Sequence, residues 1–209
     1  MPMSKQQTSN GIIVVISGPS GVGKSTICKE LVRRLDNAYR SISVTTRPKS
    51  DKEVDGRDYW FVSSEEFQRR VKNGLLLEHA EVFGNLYGTP KDKVDEALAA
   101  GKTVILAIDV QGGRQIKTMY PDAVMVFILA PTQKELAGRL QERGREDEET
   151  AKRRLDEAST EIAAAWQDYN HMVINDKLDV AVSEITGIID AARKAKKKLS
   201  GKKLNCGVE

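Results

Sequence analysis

The sequence predicts an α/β domain of three layers, in which a mostly parallel β-sheet lies between two layers of helices. Three continuous apolar runs, at residues 12–16, 103–109 and 123–130, have the composition of strands that are buried on both faces of a sheet. Each run is followed, after a short turn, by a segment with apolar residues at helical spacing. Strands that alternate with helices in this way are typical of α/β domains.

Length and composition limit the classes of protein that fit. A chain of 209 residues forms one large domain, or a core domain with small insertions. Its 30% of charged residues and mean hydropathy of −0.43 favour a water-soluble protein. A net charge of +3 is too small to indicate a nucleic-acid-binding protein. Residues 1–10 lack a signal peptide and no apolar run approaches the length of a membrane span, so we expect a cytoplasmic protein with no membrane partner.

The two cysteines, Cys28 and Cys206, lie far apart in the sequence. We expect no disulfide framework, and two such cysteines fit a reducing compartment better than an oxidising one. Cys28 falls in the first predicted helix, where a free cysteine is usually a small core residue.

The first strand ends in a glycine-rich turn that predicts triphosphate binding. Residues 18–25 fit the pattern G-x-x-x-x-G-K-[ST], and we call them the P-loop. Its glycines allow main-chain N–H groups to point at phosphate oxygens, and the helix that follows begins with an N-terminus that favours anions. Lys24 is expected to contact the β- and γ-phosphates, and the Ser25 hydroxyl to bind Mg²⁺. The alternative is a glycine-rich turn without function. The expected triphosphate-binding residues are Gly18, Pro19, Ser20, Gly21, Val22, Gly23, Lys24, Ser25 and Thr26.

Residues 41–90 differ in character, with short, polar, turn-rich segments. We expect strands at 42–44, 59–62 and 75–83, and a helix at 63–72 whose first turn has the capping sequence Ser63-x-x-Glu66. This segment is predicted to be an insertion above the carboxyl edge of the sheet, where open α/β domains bind ligands. It contains side chains suited to a phosphorylated purine, namely Ser43, Arg47, Tyr59, Glu78, Tyr87 and Thr89.

A helix is expected at 91–100, followed by the strand that ends at Asp109. An aspartate at this place beside a P-loop is suited to bind Mg²⁺. The alternative is that it caps the next helix, and the two roles are compatible.

After the strand at 123–130, Thr132-x-x-Glu135 predicts a helix start, and a highly charged break follows at 142–147. In a phosphoryl-transfer enzyme such a break is a place for a lid, whose arginines would meet the charge of the transferred group. The alternative is a solvated charged surface. A last strand that runs into a turn, within 171–176, and an amphipathic helix at 178–192 complete the domain. The basic residues 193–209 are expected to form a frayed tail rather than a nucleic-acid contact.

Four motifs in the insertion, together with the P-loop, resemble the guanylate kinase family over residues 11–192. They are Thr45-Thr46-Arg47, Asp55-Gly56-Arg57-Asp58-Tyr59, Glu78-His79-Ala80-Glu81 and Tyr87-Gly88-Thr89. The resemblance implies a P-loop NTPase-type three-layer α/β/α domain with a core of residues 11–40 and 91–192. It also implies a nucleotide-monophosphate-binding insertion at 41–90 and a lid at about 139–150, with a flexible tail at 1–10 and the basic tail at 193–209.

The resemblance also implies roles for single residues. Ser43, Arg47, Tyr59 and Tyr87 would bind the phosphate of GMP, while Glu78 and Thr89 would bind guanine. Arg143 and Arg154 match the lid arginines of the family, and Arg139 is a third candidate. Asn175 would lie near the adenine and ribose of ATP. The chemistry agrees, because a guanidinium matches phosphate oxygens and a carboxylate accepts hydrogen bonds from both N1–H and the 2-amino group of guanine.

We therefore expect transfer of the γ-phosphoryl group of Mg²⁺-bound ATP to GMP and dGMP, with ATP and Mg²⁺ as cofactors, by a monomer or homodimer. Two positions depart from the family pattern: Ser50 replaces a second arginine, and Ala107 replaces an acidic residue. These departures leave open a kinase for another monophosphate or a sugar phosphate. A non-catalytic guanylate-kinase-like interaction module is a further alternative, although such modules generally have a degraded P-loop.

Overall fold

The computed structural model describes the backbone of residues 11–141 and 148–205, and the side chains of residues 11–139 and 158–198. Within these ranges the elements in chain order are β1 (Ile12–Ser17), α1 (Lys24–Arg34), β2 (Ala38–Arg40), β3 (Val44–Thr45), β4 (Trp60–Phe61), α2 (Ser64–Lys72), β5 (Leu76–Val82), β6 (Asn85–Pro90), α3 (Lys91–Ala99), β7 (Thr103–Ala107), α4 (Val110–Met119), β8 (Val124–Leu129), α5 (Gln133–Gln141), α6 (Glu148–Asp168), β9 (His171–Ile174) and α7 (Leu178–Asn205).

The main sheet has the strand order β2-β7-β1-β8-β9, and every neighbouring pair is parallel. Its central strand, β1, is buried on both faces, because Val14 and Ile16 belong to one core cluster and Ile13 and Val15 to the other. Helices α1 and α7 contribute to the first cluster, and α3 and α4 to the second. The predicted three-layer α/β arrangement is confirmed.

The register of the main sheet places the functional segments together. Ile16 of β1 is the partner of Ala107 in β7, and Ser17 is the partner of Phe127 in β8. Because these strands are parallel, the P-loop after β1 and Asp109 after β7 lie at the same carboxyl edge of the sheet.

The insertion forms a second sheet with the order β4-β3-β6-β5, accompanied by α2. Ser63 caps α2 as predicted, since its hydroxyl accepts a hydrogen bond from the backbone N–H of Glu66 at 3.2 Å. Strand β6 was not predicted. It pairs with β5 through a two-residue turn in which both Phe83 and Gly84 have positive φ, 51° and 72°. This backbone conformation is typical of tight hairpins, but a phenylalanine at its first position gives no sequence signal for it.

The expectation of a frayed tail is wrong for residues 193–205, which continue α7 to Asn205. The apolar stripe of α7, which includes Ile185 and Ile189, packs on the main sheet. Basic side chains beyond that stripe also contact the domain: Arg193 donates to the carbonyl of Asp36 at 3.4 Å, and Lys196 donates to the carbonyl of Gly11. These contacts extend the docking of the helix beyond its apolar part.

The expectation for Cys28 is confirmed, because its side chain is fully buried against α7 and the sheet. Burial raises the pKa of the Cys28 thiol to about 12. Within the described residues, none of the helices combines the length and the apolar character needed to cross a membrane.

Candidate active site

The P-loop has the backbone geometry of an anion site. Gly18, Gly21 and Gly23 all have positive φ, at 146°, 86° and 100°. A Cβ on Gly18 would lie 2.4 Å from the carbonyl oxygen of Ile128, so no larger residue fits there. Gly23 is the N-cap of α1 and has no side chain to satisfy the first N–H groups of that helix. Those groups and the positive end of the helix dipole are therefore available to an anion.

Lys24 lies across the loop that precedes it. Its ammonium donates hydrogen bonds to the carbonyl oxygens of Gly18 and Pro19, the second at 2.9 Å. The cation is thus held beside the space that the loop surrounds. Ser25 and Thr26 are exposed residues in the first turn of α1, the helix that follows the carboxyl end of β1.

Asn175 connects the end of β9 to the P-loop. Its side-chain amide donates to the carbonyl of Val22 at 2.9 Å, and its backbone N–H donates to Leu129 at 2.8 Å. Its carbonyl accepts a hydrogen bond from Arg139 at 3.0 Å. These residues border an open cleft of about 470 Å³ that is lined by Gly21, Gly23, Thr26, Arg139, Asn175, Asp176 and Leu178. Asn175 and Arg139 therefore lie beside the P-loop, and Asn175 also supports its backbone.

Glu78 occupies a buried position on β5. The pairing of β5 with β6 is irregular between Leu76 and His79, and this bulge allows the consecutive residues Leu77 and Glu78 both to be buried. The Glu78 side chain accepts a hydrogen bond from the Thr89 hydroxyl at 2.6 Å. Its other carboxylate oxygen faces Gly112 of α4 so closely that a Cβ there would lie 2.2 Å away.

The surroundings of Glu78 make its charge costly. Burial raises the pKa of its carboxyl to about 7, and the hydrogen bond from Thr89 only partly offsets this effect. The nearby charge of Asp109 contributes to the same rise. A buried carboxylate with few donors around it is suited to a ligand that supplies N–H groups.

Arg47 lies among aromatic rings at the other end of the insertion. The centre of its guanidinium is 5.5 Å from the centroid of the Tyr59 ring and 5.7 Å from that of Phe61. The ring centroids of Tyr59 and Tyr87 are 6.0 Å apart in an edge-on arrangement. This group combines a cation with two phenol hydroxyls, which is the donor set expected for a phosphate.

The two ends of the insertion share strand β6. Tyr87 and Thr89 are two residues apart on this strand, so their side chains lie on the same face about 7 Å apart. Tyr87 belongs to the Arg47 group and Thr89 contacts Glu78. Ser43 lies next to β3, and its carbonyl accepts a hydrogen bond from Trp60 at 2.9 Å. Of the six predicted substrate-binding residues, Glu78, Tyr87 and Thr89 thus lie in strands of one small sheet, and Ser43, Arg47 and Tyr59 lie in the segments next to its strands.

Asp109 caps helix α4. One of its carboxylate oxygens accepts hydrogen bonds from the N–H groups of Gln111 and Gly112, at 2.7 and 3.2 Å. The capping role that the sequence left open is therefore confirmed. The carboxylate and the Ser25 hydroxyl follow adjacent parallel strands, and both are hard oxygen donors of the kind that Mg²⁺ prefers.

The two lid arginines fall on parts of the chain that are not fully described. Arg143 lies outside the described residues, and Arg154 lies in α6 at a position where only the backbone is described. Their roles stay predictions.

Sequence reasoning missed Glu53. The carboxylate of this residue accepts a hydrogen bond from Arg47 at 2.7 Å, and its side chain is only 14% exposed. In the sequence Glu53 is one charged residue in a polar turn, and nothing in its local pattern distinguishes it from its neighbours. Lys49, a candidate to replace the missing second arginine, instead donates to the main-chain carbonyls of Ser50 and Glu53 at 3.4 and 3.2 Å.

Comparison with known proteins gives a consistent family. The family model described as guanylate kinase matches residues 10–192. A guanylate kinase of Carboxydothermus hydrogenoformans is 45% identical over 196 residues, covering 93% of this chain and 93% of that protein. One of Clostridium tetani is 47% identical over 183 residues, covering 88% and 87%. The crystal structure of guanylate kinase from Anaplasma phagocytophilum superposes with a TM-score of 0.74 at 34% identity, covering 88% of this chain and 86% of that one.

Proposed function

This chain belongs to the guanylate kinase family, and we propose that it transfers the γ-phosphoryl group of ATP to GMP, giving ADP and GDP. The observation that carries the proposal is the buried carboxylate of Glu78 on the small sheet that the Arg47 group borders. This carboxylate also lies against Gly112 of α4, a helix that begins at the same carboxyl edge as the P-loop. A purine monophosphate that presents N–H donors at one end and a phosphate at the other matches this arrangement.

Guanine satisfies Glu78 in a way that adenine does not. The Watson–Crick edge of guanine presents two donors, N1–H and the 2-amino group, to the two oxygens of a carboxylate. Adenine has an acceptor at N1 and no 2-amino group, so it would leave the buried charge unpaired. Sites of this kind reject the wrong ligand strongly, because an unpaired buried polar group costs free energy. Thr89 would hold the Glu78 carboxylate in place through its 2.6 Å hydrogen bond.

The phosphate of GMP would bind at Arg47, with Tyr59, Tyr87 and Ser43 as neutral donors. Arg47 provides the charge and a planar set of N–H groups, and the aromatic rings over which it lies limit its orientation. Neutral hydroxyls add hydrogen bonds without adding charge. The acceptor would therefore be fixed at both ends before the reaction.

ATP would bind through the P-loop, from Gly18 to Thr26. The main-chain N–H groups and Lys24 would contact the phosphates, which offer the ammonium a stronger partner than the carbonyl oxygens of Gly18 and Pro19. Asn175 would lie near the adenine and ribose of ATP, and its hydrogen bond to the carbonyl of Val22 would support the P-loop. Ser25 and Asp109 would hold Mg²⁺, a hard cation that neutralises charge on the β- and γ-phosphates when bound.

In the reaction, an oxygen of the GMP phosphate bonds to the γ-phosphorus as the bond from that phosphorus to the β,γ-bridging oxygen breaks, and ADP leaves. The side chains take no covalent part, so catalysis consists of positioning and charge stabilisation. Arg139, Arg143 and Arg154 would stabilise the negative charge on the transferred group. Arg139 already lies at the P-loop cleft, where its guanidinium contacts the carbonyl of Asn175.

The direct test of the donor site is Lys24→Ala. The loss of a cation that stabilises the transferring phosphates should lower kcat by about 10³-fold or more, which corresponds to about 4 kcal/mol. Lys197→Ala, an equal change of charge at an exposed position of α7, is the control and should keep wild-type turnover. A folded Lys24→Ala protein with wild-type kcat would refute the assigned site.

A further inference from the structure

Beside Arg47, a four-residue turn places a carboxylate against the guanidinium. The backbone N–H of Glu53 donates to the carbonyl of Ser50 at 3.0 Å, which closes the turn. One oxygen of the Glu53 carboxylate accepts the hydrogen bond from Arg47 at 2.7 Å. The other oxygen accepts from the N–H of Ser50 at 3.0 Å and from its hydroxyl at 2.8 Å. Both oxygens are therefore held, one by the turn and one by Arg47.

These contacts fix the guanidinium on several sides. Arg47 also donates to the carbonyl of Pro48 at 2.9 Å, and its guanidinium lies over the rings of Tyr59 and Phe61. The hydrogen bonds to Pro48 and Glu53 use two of the five N–H groups of a guanidinium, so donors remain for a phosphate.

A carboxylate in this position opposes phosphate binding by simple electrostatics. Two negative charges close together repel, and Glu53 shares the cation that the phosphate needs. Burial would raise the pKa of Glu53, but hydrogen bonds from Arg47 and Ser50 outweigh that effect and lower it to about 2. Glu53 therefore stays charged at neutral pH, and its repulsion of a phosphate has to be offset by a gain elsewhere.

We propose that Ser50 and Glu53 are positioning residues for the acceptor phosphate: Ser50 holds the Glu53 carboxylate, and Glu53 holds the Arg47 guanidinium in the orientation that binds the phosphate. The inference rests on the proposed function. It also gives a role to Ser50, the serine that stands where the family pattern has a second arginine. Lys49 supports the same turn, because its ammonium donates to the main-chain carbonyl groups of Ser50 and Glu53.

The test is Glu53→Gln, because the two possible effects of Glu53 have opposite signs. If Glu53 positions Arg47, its loss raises the KM for GMP about tenfold, the scale of one charge-assisted hydrogen bond, and leaves kcat within about twofold. If Glu53 only competes with the phosphate for Arg47, its loss lowers that KM. Asp51→Asn is the matched control, since it removes the same charge from an exposed position in the same turn. It should leave the KM for GMP unchanged or slightly lower.

Guanosine separates positioning from a collapse of the insertion. It lacks the phosphate, so its inhibition constant against GMP should be the same in the wild type and in Glu53→Gln. Ser50→Ala removes one of the two hydrogen bonds from Ser50 to the Glu53 carboxylate and should raise the KM for GMP by about threefold, and Ser50→Thr, which keeps the hydroxyl, should restore it.

The proposal is overturned if Glu53→Gln leaves the KM for GMP unchanged or lowers it, or if guanosine binding weakens in parallel. A wild-type chain without GMP turnover would instead refute the proposed function. A wild type that phosphorylates GMP while the variant keeps its KM refutes only the positioning role.

Discussion

Recognition of guanine should weaken as the pH falls below neutral, because Glu78 must be ionised to accept two N–H groups. Burial raises the pKa of this carboxyl to about 7 in the unliganded protein. A protonated carboxyl carries its own O–H donor, which would face a donor of guanine. Binding therefore selects the ionised form, and below the pKa it releases a proton.

The expected magnitude follows from the ionised fraction. With a pKa of about 7, about nine-tenths of the carboxyl is ionised at pH 8 and about one-tenth at pH 6. Since the apparent dissociation constant equals the intrinsic one divided by the competent fraction, affinity for guanine should fall about tenfold between these two values. The slope should approach tenfold per pH unit at lower pH.

Guanosine is the suitable probe, because the phosphate of GMP titrates with a second pKa near 6 and would add its own pH dependence. Its inhibition constant against GMP should be measured from pH 5.5 to pH 8 in the wild type and in Glu78→Gln, which has no charge to lose. We expect a rising inhibition constant at low pH only in the wild type. A flat wild-type profile, or the same slope in the variant, would refute the reasoning.

Three further predictions concern stability and steric fit. The pKa of Glu78 rises from 4.5 to about 7 on folding, so the folded state binds this proton more tightly than the unfolded chain does. The contribution of the protonated carboxyl to folding stability is therefore complete below pH 4.5 and is lost as the pH rises to about 7. The free energy of unfolding of the wild type relative to Glu78→Gln should therefore fall by about 3 kcal/mol between pH 4 and pH 8 in denaturant titrations. Gly112→Ala should raise the KM for GMP about tenfold or more while sparing the KM for ATP, since its Cβ would lie 2.2 Å from the Glu78 carboxylate. Gly187→Ala, where nothing lies within 4 Å, is the matched control and should stabilise the protein by about 0.5–1 kcal/mol in thermal melts. Asn175→Ala leaves the carbonyl of Val22 without its side-chain donor, so the free energy of unfolding should fall by about 1–3 kcal/mol and the KM for ATP should rise. An unchanged KM for ATP would show that Asn175 does not support the P-loop.

The parts of the fold that the sequence predicted are those with local signals. The main strands follow from continuous apolar runs, and the P-loop follows from glycines whose positive φ the turn requires. Strand β6 carries no such signal. It contains Gly88, which lies close to the backbone of Glu78, and it ends at Pro90, and both residue types are unusual in strands. The extension of α7 depends on contacts with Asp36 and Gly11 that are distant in sequence.

In the candidate site, too, some residues have a local sequence signal and others depend on contacts that are distant in sequence. Residue types and spacing pointed to Glu78, Arg47 and the two tyrosines, because the chemistry of a purine monophosphate requires such groups. The hold of Asn175 on Val22 joins residues 153 positions apart and has no sequence pattern. Glu53 belongs to a turn with several charged residues, and the sequence does not distinguish it from them. Only its hydrogen bond with Arg47 in the folded structure indicates a positioning role.

The central claim is that a buried carboxylate selects guanine as the phosphoryl acceptor. The most direct measurement is the release of ADP from Mg²⁺-bound ATP by purified protein with GMP, dGMP, AMP, UMP, CMP or ribose phosphate as the acceptor. We predict that kcat/KM for GMP exceeds that for AMP by about 10⁴-fold, the discrimination typical of sites built on buried hydrogen-bond partners. Comparable values for GMP and AMP, or turnover with a different acceptor only, would contradict this account.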